Sequence, residues 1–231
     1  MNLNEFHARV RRVTGLGGDA TDLALITGWV NEAVLQFQRE TKMNTRLAAL
    51  SVTADQGDYT LDDDILSMQG LWYEPADTTQ RRLLQPVSVE TMFELRLPDA
   101  PANSLVRHYA MSGAHTLMLH AAPPSSSDQL HILYVPRPSA LSATSESPAS
   151  SALGNIPEEY HPLLEAYAKW KGAESEEHRG SDNGLQFQAQ WEREIAKIRG
   201  EMKRKAGMVQ PPVRLGRPRG AIVGPGVDRG Y

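Results

Sequence analysis

The sequence of 231 residues contains no cysteine, which excludes disulfide bonds, thiolate zinc sites and cysteine nucleophiles. It also lacks any apolar run approaching the roughly 20 residues that a membrane-spanning helix needs. The first residues, MNLNEFHARVRR, carry charges throughout, unlike the apolar centre of a secretory signal peptide. We therefore expect a soluble protein that is assembled in a reducing cytoplasm.

A strong charge of one sign is also missing. The chain has 24 basic and 28 acidic residues and a net charge of −4, so no general field attracts nucleic acid or anionic lipid. Any nucleic-acid role would depend on a local basic patch. The length and the hydrophobic fraction of 40% are typical of a globular protein with one large domain or two smaller ones.

Motifs for catalysis and phosphate binding are absent. The stretch TGLGGDATD follows a helical pattern and has no P-loop lysine, so it indicates a turn between helices. No serine occupies a nucleophile elbow, and no pair of carboxylates stands in an apolar setting. We therefore expect no enzyme activity and no cofactor, and a small hydrolase is the weakest alternative.

Metal-ligand patterns are weak as well. Four histidines in the middle of the chain lack carboxylates at ligand spacing, so we interpret them as solvent-facing or hydrogen-bonded. They are His108, His115, His120 and His131. His161 and Glu165 stand four residues apart and are expected on a solvated helix face. The run DDD at 62–64 lacks the glycine and closing glutamate of a calcium loop and indicates an acidic turn before a strand.

What is present is a clear hydrophobic period, which changes along the chain. Apolar residues three and four apart predict a short helix ending at TGLGG and a longer one to about Lys42, capped by Asp19 or Thr21. The apolar residues are Leu3, Phe6, Val10 and Val13, then Leu23, Ile26, Val30, Ala33, Val34 and Phe37. Residues 1–44 are therefore predicted to form a helical hairpin.

From residue 45 to residue 140 the period is two. The runs TRLAALSVTA, ILSMQGLWYE, QRRLLQPV, NSLVRHYAMSG, HTLMLHAAP and DQLHILYVP predict short strands. Ser88 is suited to cap a brief helix, VETMFELR, and Gly113 is suited to turn a hairpin within YAMSGAHTLML. We predict an inserted antiparallel β domain, either one compact sheet or a small sandwich.

The rest of the folded chain predicts a linker and a second hairpin. Residues 141–155 are rich in serine, alanine and proline and are expected to form a flexible linker. Residues 156–206 carry two helical patterns separated by RGSDNG, with Pro157 at a first-turn position. The inner faces hold Leu163, Leu164, Tyr167 and Trp170, then Phe187, Trp191, Ile195, Ile198 and Met202.

These elements predict an α+β fold: a discontinuous four-helix bundle made of two helical hairpins, an inserted antiparallel β domain and an extended C-terminal tail. Neither hairpin has enough apolar surface to be stable alone, so we expect the two to pack together. Large aromatic residues on the helical stripes are expected in the bundle core or at a subunit interface. They are Trp29, Phe37, Tyr167, Trp170 and Trp191.

The C-terminal tail, residues 207–231, ends in PPVRLGRPRGAIVGPGVDRGY and has neither a helical nor a strand period. Such a segment gains its order from a partner. Its arginines favour an acidic docking surface, with nucleic-acid phosphate as the alternative, and RGAIVG is suited to extend a partner's sheet. A terminus without a role is the remaining interpretation. The expected binding residues are Val213, Arg214, Leu215, Arg217, Arg219, Ile222, Val223, Arg229 and Tyr231.

The order of these features resembles the head-to-tail adaptor proteins, also called connector or head-completion proteins, of tailed bacteriophages. The resemblance covers residues 1–206 as a series of short motifs. They are TADQGDYTLDDDILSMQGLWY, LQPVSVETM, YAMSGAHTLMLHAAPP, LHILYVPRPSALS and, as the most specific of them, IPEEYHPLLEAYAKWKGAE.

The resemblance implies a structural virion protein that forms a ring, usually of twelve copies, beneath the portal. Tail or nozzle proteins attach below, and double-stranded DNA passes through the lumen without sequence-specific binding. It further implies assembly in the host cytoplasm, no membrane partner and a C-terminal tail that docks on the portal. The large β insertion departs from the all-helical family members and is expected to face outward or toward the tail. A DNA-binding accessory protein that uses the basic tail is the main alternative.

Overall fold

The computed structural model describes residues 1–77, 80–96, 105–113, 115–175 and 183–209. Within these ranges it has five helices and eight strands, which confirms the α+β class. The helices are α1 (Leu3–Thr14), α2 (Ala20–Thr41), α3 (Val89–Leu95), α4 (His161–Glu174) and α5 (Asn183–Val209). The strands are β1 (Arg46–Ser51), β2 (Asp58–Thr60), β3 (Ile65–Glu74), β4 (Arg82–Leu83), β5 (Gln85–Pro86), β6 (His108–Ser112), β7 (Thr116–Leu119) and β8 (Gln129–Pro136).

Local sequence signals set the ends of α1 and α2. Asn2 and Glu5 form a reciprocal capping box at the start of α1, and Gly15 ends the helix in the left-handed conformation, with φ of 71°. Asp19, rather than Thr21, caps α2 by accepting a hydrogen bond from the Asp22 N–H at 2.8 Å. The glycine-rich stretch between them is therefore an interhelical turn, as predicted.

The helices α1, α2, α4 and α5, together with residues 141–156, share one apolar core, and we call this unit the helical body. Its fully buried residues include Phe6, Ile26, Phe37 and Leu164. Val13, which belongs to the predicted stripe of α1, is 40% exposed, and Thr14 is buried in its place. Helix α5 continues to Val209, three residues beyond the expected boundary at 206.

The expected flexible linker, residues 141–155, requires a correction, because this segment packs on the helical body in a defined path. Leu141 and Leu153 are buried in the apolar core, followed by Ile156. Asn31 on α2 bonds both backbone groups of Leu141, accepting from its N–H at 2.7 Å and donating to its carbonyl at 3.1 Å. The first turn of α1 also donates to this segment, from the N–H of Leu3 to the Glu146 carbonyl at 2.8 Å and from that of Asn4 to the Thr144 carbonyl at 3.0 Å.

The β domain, residues 46–136, contains two sheets. One has the order β1–β8–β3–β4 and the other β2–β7–β6–β5; all pairs are antiparallel except β5 with β6. Leu71 and Leu130 from the first sheet share an apolar core with Leu117 and Leu119 from the second, which favours the small sandwich over one sheet. Ser88 caps α3 as predicted, and Gly113 turns the β6–β7 hairpin with φ of 67°. The short strand β2 lies between the first two predicted runs, within the motif TADQGDYTLDDDILSMQGLWY.

Candidate partner-binding surfaces

The predicted tail residues lie outside the part of the chain that the structure describes, because they all follow Val209. They are Val213, Arg214, Leu215, Arg217, Arg219, Ile222, Val223, Arg229 and Tyr231. The surfaces considered below therefore belong to the helical body and the β domain.

An aromatic group fixes α4 against α5. Tyr167 is buried and its ring lies edge-on to two tryptophans, 5.2 Å from Trp170 and 4.8 Å from Trp191 between centroids. Its hydroxyl donates to Glu32 on α2 at 2.7 Å. Burial, followed by Glu32, raises the pKa of Tyr167 well above its usual value, so the hydroxyl remains a donor.

Trp29 and Phe37 on α2 occupy different depths. Phe37 is fully buried and its ring lies 5.5 Å from that of Tyr160. Trp29 is half-buried beside Gly172 of α4, where an added Cβ would come within 3.0 Å of the indole. Phe37 is thus surrounded by the core, whereas Trp29 keeps part of its surface in solvent.

Charged groups border the aromatic group on the outer side of α4. The ammonium of Lys171 lies 4.6 Å from the centre of the half-buried Trp170 ring, and the indole of Trp170 donates to Glu174 at 2.6 Å. One further carboxylate, Glu165, contacts Lys169 at 2.5 Å and Arg9 of α1 at 3.2 Å. The contact between Arg9 and Glu165 ties α1 to α4.

A concave surface of about 500 Å³ lies between the start of α4 and the outer side of α5, and we call it the α4–α5 groove. Its apolar floor consists of Tyr160, Leu163 and Ile198. Leu163 and Ile198 belong to the helical core, whereas Tyr160 is half-buried. The groove therefore rests on rigid packing and has room for an added chain segment.

The rim of the α4–α5 groove is acidic. Glu159, Glu194 and Glu201 stand against one base, Lys197, whose ammonium lies 3.8 Å from Glu194. Glu159 and Glu201 form no ion pair with the basic side chains that the structure describes. The pKa of the Tyr160 hydroxyl is raised, first by burial and then by Glu159 and Glu201. The groove thus presents negative charge above an apolar floor.

His161 and Glu165 require a second correction, because neither lies on a solvated face. His161 has no exposed surface; its Nδ1 lies 2.7 Å from the Met1 amine and its Nε2 lies 3.1 Å from the Ile156 carbonyl. Burial, and then the positive amine, lower the pKa of His161, which keeps the ring neutral. Met1 is 160 residues away and Ile156 precedes the helix, so the spacing of His161 and Glu165 within the helix carried no signal for either partner.

Two histidines of the β domain, His120 and His131, have polar partners, as the hydrogen-bonded interpretation expects. Nδ1 of His120 accepts from the N–H groups of Arg107 at 3.3 Å and His108 at 3.2 Å. The buried His131 places Nε2 2.6 Å from a carboxylate oxygen of Glu74. Within the described ranges no three histidine, aspartate or glutamate side chains are grouped to hold a metal ion.

A buried carboxylate that the sequence did not single out organises one end of the β domain. Asp128 accepts from the Tyr73 hydroxyl at 2.5 Å, the Ala76 N–H at 2.8 Å and the Ser125 N–H at 3.3 Å. Burial and Asp128 together raise the pKa of Tyr73. Asp128 precedes β8 by one residue, and this contact fixes the loop before that strand to β3. The role is structural.

Two exposed leucines mark opposite edges of the first sheet. Leu47 on β1 is 56% exposed and Leu83 on β4 is 63% exposed. The outer sides of both strands lack a neighbouring strand among the described residues. Open edges with apolar side chains are typical of surfaces that contact another protein.

The comparisons with known proteins gave a family match. A family model described as SU10 adaptor protein matches residues 1–216 of the 231. No curated protein matches the chain. In the part of the chain that the structure describes, no helix combines the length and the apolar character that crossing a bilayer would demand.

Proposed function

Because the chain belongs to the SU10 adaptor protein family, a family of phage head-to-tail adaptors, we propose that it forms a ring of twelve copies between the portal and the tail of the particle. The observation that carries the proposal is the extent of the match. Residues 1–216 include the helical body, the β domain and the first seven residues after α5. The proposed role is structural, without catalysis or a cofactor.

The ring proposal includes a four-helix bundle built from the two hairpins and a lumen that double-stranded DNA crosses. The shared apolar core of α1, α2, α4 and α5 supports the bundle. The net charge of −4 suits a lumen through which DNA slides, since a basic lining would retain the phosphates. The β domain, with its open sheet edges, is assigned to the contacts with tail or nozzle proteins.

The C-terminal tail is assigned to the portal. Its single apolar residues, spaced by glycine and proline, are suited to fill separate pockets, and its arginines are suited to an acidic surface. Deleting residues 210–231 should abolish attachment to purified portal rings while preserving the fold. Negative-stain images of the mixture report attachment, and tryptophan fluorescence reports the fold, because three of the four tryptophans lie in the helical body.

The full chain is the control for this deletion. Attachment of the truncated chain at the level of the full chain would contradict the assignment of the tail to the portal. The same pair of proteins also tests DNA binding. Binding of the full chain to double-stranded DNA that falls steeply with salt and disappears on deletion would favour the accessory-protein alternative.

A further inference from the structure

The C-terminal tail and the rest of the chain carry opposite charges. The chain has 24 basic and 28 acidic residues; without the four arginines and one aspartate of residues 211–231, the remainder has 20 and 27. The positive charge is concentrated in the first half of the tail. Residues 211–219 hold Arg214, Arg217 and Arg219 and no acidic residue.

We propose that the α4–α5 groove binds residues 211–219 of a neighbouring copy of this chain. The first half of each tail then joins two ring subunits, and residues 220–231 remain for the portal. This inference rests on the ring of the proposed function and divides the tail between two partners.

The groove matches the centre of this segment, residues 213–217, in size and chemistry. From Gln190 to Glu201 the groove follows α5 for about 17 Å, the length of roughly five extended residues. Val213 and Leu215 alternate with Arg214 in the sequence, so an extended chain directs the two apolar side chains to one side and the arginine to the other. The apolar pair suits the floor and Arg214 suits the carboxylates of the rim, and Gly216 permits a bend that brings Arg217 and Arg219 to the same carboxylates.

The position of the tail favours a neighbouring copy over the same copy. Helix α5 ends at Val209, about 12 Å beyond Glu201 along the helix axis. To reach its own groove, the tail would have to reverse direction directly after the helix. Pro211 and Pro212 stand at that point, and consecutive prolines restrict φ and favour an extended course. Residues 210–212 span about 10 Å when extended, so the groove of the neighbouring copy is expected close to the end of α5.

The absence of cysteine permits a direct test, because an introduced pair is the only route to a disulfide. One full-length chain carries Gln190→Cys at the groove and another carries Gly216→Cys in the tail. Mixed under mild oxidation, they should form a disulfide-linked dimer at least tenfold above a control mixture in which Thr60→Cys, an exposed residue of β2, replaces the groove cysteine. A yield equal to that control overturns the proposal. An internal disulfide in a chain carrying both cysteines, without dimers in the mixture, also overturns it.

Charge exchange tests the chemistry of the contact. Glu159→Lys with Glu201→Lys in the groove should lower the dimer yield at least tenfold, and so should Arg214→Glu, Arg217→Glu and Arg219→Glu in the tail. Combining the two sets should restore the yield. The matched control is Glu192→Lys, since Glu192 is exposed on α5 outside the groove. Equal loss in this control, or no loss in the groove variants, contradicts the proposal.

A further truncation separates this inference from the proposed function. Deleting only residues 220–231 should abolish portal attachment and leave the disulfide-linked dimer unchanged. Deleting residues 210–231 removes the tail cysteine as well, so in that chain only portal attachment is measured. Normal portal attachment after either deletion contradicts the proposed function, whereas loss of the dimer after the shorter deletion contradicts the inference.

Discussion

The core of the helical body draws residues from both ends of the described chain, from Leu3 to Phe37 and from Leu141 to Ile198, whereas the core of the β domain lies between Val52 and Ile132. The β domain therefore closes its core from one continuous segment. The helical body closes only when distant segments meet, and residues 141–156 are part of that closure. We infer that the two units respond separately to perturbation, and the following predictions test that difference in order of decreasing effect.

The largest effect is expected from a cavity in either core. Phe37→Ala removes a fully buried ring from the helical body and should lower the free energy of unfolding of that unit by about 3–5 kcal/mol. The matched variant Leu117→Ala should lower that of the β domain by about 2–5 kcal/mol. Hydrogen exchange in increasing urea measures the free energy of unfolding of each unit from the backbone amides of that unit. Equal loss of protection in both units from Phe37→Ala would show that they unfold together.

A medium effect is expected from a side chain added where α4 meets α1 and α2. At Gly172 a Cβ would lie 2.5 Å from Thr14 Cγ2 and 3.0 Å from Trp29 Cζ3, so Gly172→Val should destabilise the helical body by about 1–3 kcal/mol. Among the described residues, no atom outside the local helix backbone lies within 4 Å of a Cβ added at Gly200 on α5, and Gly200→Ala should stabilise the helix by about 0.5–1 kcal/mol. Thermal denaturation followed by tryptophan fluorescence should show a lower melting temperature for Gly172→Val and a higher one for Gly200→Ala. If Gly172→Val leaves the melting temperature unchanged, the three helices must separate easily at this point.

The smallest effect is expected from pH. Burial lowers the pKa of His7 and His161 in the helical body and of His120 in the β domain below the ordinary value of 6.5. Each ring is neutral when folded and binds a proton more readily when unfolded, so its contribution to stability is complete above pH 6.5 and is lost as the pH falls below it. The helical body, with two such rings, should lose more stability than the β domain between pH 7.5 and 5.5. Urea midpoints at the two pH values measure this loss, and His161→Gln should reduce it; an unchanged difference would contradict the role of His161.

Periodic features of the fold were predictable from the sequence because they depend on neighbouring residues. Apolar spacing located α1 and α2, cap chemistry gave Asp19 as one of two candidates for α2 and Ser88 for α3, and the YAMSGAHTLML pattern gave the β6–β7 hairpin. The defined path of residues 141–155 was not predictable, because the composition of this segment is typical of linkers. The path depends on hydrogen bonds to Asn31 and to the first turn of α1. Long-range partners of this kind leave no local pattern.

The candidate surfaces show the same limit. The basic, apolar-spaced tail is evident in the sequence, but the α4–α5 groove combines Glu159 with Glu194 and Glu201 from another helix. Likewise, the lowered pKa of His161 follows from its burial and from the Met1 amine rather than from its spacing to Glu165.

The hydrogen bonds from Leu3 and Asn4 to Glu146 and Thr144 bear on biosynthesis. As the ribosome extends the chain, α1 and α2 emerge more than a hundred residues ahead of α4, the helix they pack against. All strands of the β domain are complete once Pro136 has been added. The β domain is thus the first unit that can fold during translation. Until α4 is synthesised, the apolar stripe of the first hairpin remains exposed, and nascent chains with exposed apolar surface bind chaperones.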